Sequence, residues 1–201
     1  MSSFPQDTEK LRAAARARDA DQKQFLLKKM FKQLEFVVAL GISAECVHAY
    51  ADKFERYHPN EVWARRMLRQ IVMTASAPDE SIIQQAFQHF TTPGTANFFK
   101  ALYDLYQGTQ KRHPSEARVG FLVSAVENSL TAVLVEMYFG EEPEKWAAYR
   151  AQGEDFADIA LAFWTDDAVA ARDIEAWETV AERLLIAHTR TQPNANQQET
   201  P

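Results

Sequence analysis

The chain has 201 residues, of which 46% are hydrophobic and 25% charged, with thirteen Phe and four Trp; that composition excludes wholesale disorder and suits a single globular domain with a real core. A formal net charge of −6 at pH 7 disfavours nucleic acid as the main partner. Cys46 is the only cysteine, which excludes an intramolecular disulfide and suits a reducing compartment. The opening MSSFPQDTEKLRAAARARDA has no apolar run before its charges, so no cleaved secretory signal is expected and the expected location is the cytoplasm.

Apolar residues recurring every three or four positions predict an all-α protein, a multi-helix bundle of roughly eight or nine helices without strands. Residues 1–8 read as a flexible N-terminus and 9–189 as one helical domain. Residues 190–201 read as a disordered tail, since RTQPNANQQETP offers little apolar anchorage. Helices are expected near 7–40 with a break around Asp19 to Asp21, then 43–57, 60–75, 78–90, 94–108, 114–139, 143–152, 153–164 and 167–189. Gly41, Gly94, Gly108, Gly140 and Gly153 stand where the periodicity stops, as C-terminal caps do, and Pro59, Pro78, Pro93, Pro114 and Pro143 fall in the same breaks.

The stretch 114–139 is apolar on two sides. Val119, Leu122, Val123, Val126, Leu130, Val133, Leu134 and Met137 share one face, and Phe121, Val135 and Phe139 lie opposite, which predicts a buried central helix. Glu127, Asn128 and Glu136 interrupt it; they argue against a membrane span and are candidate buried polar groups. The helix from Asp167 shows one apolar face, Ile174, Trp177, Ala181 and Leu184, as an outer helix does.

Residues 7–72 hold thirteen Lys and Arg against nine Asp and Glu, whereas 141–183 hold four against twelve. That asymmetry permits head-to-tail or partner contacts, including self-association. Lys28, Lys29, Lys32, Arg65, Arg66 and Arg69 are the candidate interaction surface. A metal site would start from Glu55 and His58, a single Glu-x-x-His where helical di-iron sites need two. No metal and no cofactor is expected, and no nucleophile motif or glycine-rich phosphate loop is present. Phe87, Phe90, Phe98, Phe99, Tyr103 and Tyr106 could line a pocket, though their spacing is that of a packed helix face. Leu40-Gly41-Ile42-Ser43 has the form of a helix-turn-helix turn, which would make 33–57 the reading unit of a DNA-binding or ligand-responsive regulator. The positions that would face a groove, Ser43, Ala44, Glu45, His48 and Ala49, include no Arg or Lys.

Gln33, Leu34, Val37, Val38, Gly41 and Ile42 stand in the register of a Gln-Leu, two apolar residues and an Ala-Gly-Ile-Pro-Leu, and Ile83-Gln84-Gln85-Ala86-Phe87 with Gly108-Thr109 match a later helix and turn. On these residues the stretch from about 28 to 110 resembles the helical cytoplasmic domain of the inner-membrane platform proteins of type II secretion and type IV pilus machines. Ser43 stands where that family has proline and Leu40 where it has alanine. The resemblance implies a scaffold that binds other machine components. The expected function is therefore a non-catalytic protein–protein interaction or adaptor protein, with a DNA-binding regulator second and an enzyme or metal protein without recognisable motif third.

Overall fold

The computed structural model describes residues 3–74 and 91–191. Among them the chain forms nine α-helices and no strand: α1 (Phe4–Arg16), α2 (Ala20–Phe31), α3 (Phe36–Tyr57), α4 (Trp63–Thr74), α5 (Thr95–Thr109), α6 (Ser115–Phe139), α7 (Pro143–Ala151), α8 (Phe156–Thr165) and α9 (Asp167–Thr191). The helix expected at 78–90, with Phe87 and Phe90, and the tail after Thr191 lie outside the described residues.

The central helix is α6. It packs along α5 and α3 and also touches α2, α7 and α9, while α1 lies on α9 and α2, and α4 lies on α3 and α5. Its Leu122, Val126 and Phe139 are fully buried. Met137, expected on the core face, is 38% exposed, because that end of the helix turns to a smaller, separate cluster. By length and composition alone α6 could cross a membrane, but 56% of its most apolar window is buried against the rest of the fold, as the centre of a helix bundle requires. The outer helix α9 buries Trp177, Ala181 and Leu184 of the expected face together with Val180, while Ile174 is half-buried.

Two readings of the N-terminal third are corrected. Residues 4–8 are not a flexible end: Ser3 and Gln6 form a capping box that starts α1 at Phe4, and Phe4, Asp7 and Thr8 are buried. Phe4 stacks on His188 of α9 with ring centroids 4.0 Å apart. The second correction concerns Gly41, which ends no helix. α3 runs unbroken from Phe36 to Tyr57, because Ala39, Leu40, Ile42, Val47 and Tyr50 are all buried and their packing outweighs the roughly 0.5–1 kcal/mol that a mid-helix glycine costs. Residues 33–57 are thus neither a helix-turn-helix nor a hairpin. The true break lies at 32–35, where neither Gly nor Pro marks it and Leu34 tucks into the core. The break near Asp19 is as expected, with Asp19 Oδ1 accepting from the Gln22 amide at 2.9 Å.

Gly94 also departs from a C-cap. It opens α5 with φ +80°, and a Cβ there would run into the Ala132 carbonyl of α6 and the Tyr50 ring. Gly108 lies within the last turn of α5, so of the five glycines Gly140 alone occupies a C-cap, and Gly153 separates α7 from α8.

Candidate interaction site

Gly41 lies on the solvent side of α3 with no atom within 4 Å of where its Cβ would stand. Val37, Gly41, Ala44 and His48 recur at three- and four-residue spacing and so form one stripe. Across from it, α4 contributes Leu68 and Val72, and between the two helices runs a groove of about 510 Å³. Small side chains make its floor and apolar ones its wall: Val72 is 38% exposed and Met73 72%. Its rim is basic. Arg65 is held by Asp52 at 2.6 Å and Glu55 at 2.8 Å, whereas Arg66 and Arg69 are exposed and have no ion-pair partner among the described residues.

The six basic residues expected to share a surface divide into two groups. Lys28 and Lys29 are on α2 and Lys32 caps its C-terminus, and each is engaged with another helix: Lys29 pairs with the fully buried Asp7 at 2.7 Å, and Lys28 and Lys32 reach Glu116 at 3.5 and 2.9 Å. The arginines are on α4 and line or flank the groove.

Glu127, Asn128 and Glu136 face three different neighbours. Glu127 accepts from Gln24 of α2 at 3.0 Å, and burial holds its carboxyl above the usual glutamate range. Asn128 donates to the Ser124 carbonyl at 2.9 Å and accepts from Asn97 at 3.4 Å. Ser124 in turn donates to the buried Asp104 at 2.6 Å, and Asp104 is also paired with Lys100. Glu136, with its side chain 11% exposed, is paired with Lys53 and lies 3.8 Å from Arg56. It sits in a cleft of about 420 Å³ where burial and its own charge raise the Tyr57 phenol. Lys53 and Arg56 both turn to Glu136 there, while Glu141, on the same cleft, has no ion-pair partner among the described residues.

Glu55 faces Arg65, and His58 lies 3.3 Å from Thr92 Oγ1 with burial lowering its pKa. Thr92 meets Thr95 at 2.6 Å, and Tyr50 donates to the Pro93 carbonyl, so this knot ties the start of α5 to α3. Burial pushes the Cys46 thiol up to about 11, away from the thiolate a nucleophile needs. Phe98, Phe99 and Tyr106 are buried in the main core with Tyr103 packed against it, so these four aromatics form core and not a pocket wall. Sequence reasoning missed the groove because its floor is made of residues with little or no side chain. Met67, Leu68, Ile71 and Val72, with arginines at 65, 66 and 69, were the available signal. Comparison of the chain with family models, with characterised proteins and with solved structures finds no match to any of them.

Proposed function

We propose that the protein is a cytoplasmic, non-catalytic interaction or adaptor protein that holds a segment of another polypeptide in the groove between α3 and α4. The observation that carries this reading is the groove itself, an open apolar strip with Gly41 and Ala44 as floor and Leu68 and Val72 as wall, beside Arg66 and Arg69, which have no ion-pair partner among the described residues. Apolar anchors in such a groove supply affinity, and a charged rim supplies orientation and speed of encounter. A scaffold role is also what the resemblance to platform domains implies. A photo-crosslinking side chain placed at Val72 is expected to capture a specific polypeptide in cells, and Gly41→Leu, which puts a side chain into the groove, is expected to abolish that capture. No captured polypeptide, or capture indifferent to Gly41→Leu, rules the reading out.

A further inference from the structure

Among the described helices α8 is the most apolar one that the fold leaves largely uncovered. In FADIALAFWT only Phe163 is buried; Leu161 is 62% exposed and Trp164 50%. The Trp164 ring lies edge-on to Phe163 at 4.6 Å, and its carbonyl accepts from Arg18. A half-exposed aromatic is the type of side chain that anchors interfaces. The sequence around it is acidic: Glu154, Asp155, Asp158, Asp166 and Asp167 fall between Arg150 and Arg172 with no Lys or Arg among them, and Arg18, which the fold brings to this edge, is engaged with the Trp164 carbonyl. Asp155, Asp158 and Asp167 have no ion-pair partner among the described residues. In the α3–α4 groove Arg65 is taken up by Asp52 and Glu55 and Glu45 by Arg183 at 3.2 Å, which leaves Arg66 and Arg69 of α4 as the charges without an ion pair among the described residues. The two surfaces stand on helices that do not pack together, since α4 lies on α3 and α5 and α8 on α7 and α9.

We propose that the Trp164 edge of α8 in one copy seats in the α3–α4 groove of a second copy, joining copies head to tail. The inference rests on the reading of that groove as a docking surface and names its occupant. Leu161 and Trp164 fill the strip lined by Gly41 and Leu68, and the acids flanking α8 face Arg66 and Arg69. The contact joins unlike surfaces, so a joined pair still has one free knob and one free groove, and association continues into rings or open chains instead of stopping at a symmetric dimer. Because its rim is ionic, the contact weakens with salt.

Sedimentation velocity of the full chain tests this. The wild type is expected to rise above monomer mass with concentration at low ionic strength and to fall back in high salt. Trp164→Glu on the knob and Gly41→Leu in the groove are each expected to weaken association about thirtyfold or more, the loss of a buried aromatic anchor. Mixing the two variants is expected to restore a one-to-one dimer and nothing larger, since a single intact knob then meets a single intact groove. Both substitutions fall at open positions, with circular dichroism checking the helices and Leu161→Asp serving as a second knob variant. A wild type monomeric at every concentration, variants that associate like it, or a mixture that stays monomeric would overturn the proposal. If the Val72 crosslinker then captures a different polypeptide, the groove reading survives alone; if it captures nothing, both fall.

Discussion

A methyl group added at Gly41 meets open space, whereas at Gly94 it meets the backbone of α6. Within α3 the glycine spends backbone entropy for no local gain, so Gly41→Ala is expected to stabilise the fold by about 0.5–1 kcal/mol. Gly94→Ala adds a left-handed φ to a collision with a carbonyl oxygen that cannot swing aside, and is expected to cost about 2 kcal/mol or more. Urea denaturation of the two variants checks both signs. Equal effects would mean that the wall at Ala132 yields. A residue type alone carried little of this distinction, because both positions read as caps; only the partner helix, distant in sequence, separates them.

At the scale of the helix, α6 shows how polar residues are accommodated in a buried element. Its three polar interruptions leave in different directions, towards α2, α5 and α3, so each finds a partner without building a shared cavity. Glu127 is the least compensated, with a neutral amide as its hydrogen-bond donor and its carboxyl raised by burial. A carboxyl with a raised folded pKa favours the fold when protonated, so its contribution is full below the ordinary glutamate range and is lost as pH rises through the folded value. Glu127→Gln is therefore expected to raise the melting temperature at neutral pH and to lose that advantage in acid, measured by thermal melts across pH. The helix and its two-sided burial were legible in the sequence because the 3.6-residue period persists from Val119 to Phe139. The boundaries around 32–41 were not: Gly41 carries the signal of a break while the actual turn, Lys32–Glu35, is made of residues that propagate helices well. Likewise the α4 arginines were legible as charge, but a groove is a relation between two helices, and no single stretch encodes it.

The whole molecule is organised around two apolar clusters of unequal size. The larger joins α1 to α6 with α9; the smaller gathers Leu134, Val135, Phe139, Phe163 and Val169 at the end of α6, roofed by Trp146 and Tyr149. Phe139 is its hub, with ring centroids 5.3 Å from Trp146, 5.0 Å from Tyr149 and 5.8 Å from Phe163. α7 buries no residue fully and α8 buries only Phe163, so few contacts beyond this hub hold the pair in place. Elements with little buried apolar surface open at lower free energy than the global transition. Phe139→Ala, which removes about 3–5 kcal/mol of packing at such a site, is therefore expected to strip amide protection from 143–165 while α3, α5 and the first half of α6 stay protected. Hydrogen exchange read by mass spectrometry distinguishes this from a uniform loss over all helices, which would make the two clusters one cooperative unit. The same variant bears on assembly, because Trp164 is positioned through Phe163, whose ring packs on Phe139. Loosening the hub is expected to weaken head-to-tail association without touching either the groove or the exposed knob, so the small cluster would act as the mount that holds the docking edge rigid.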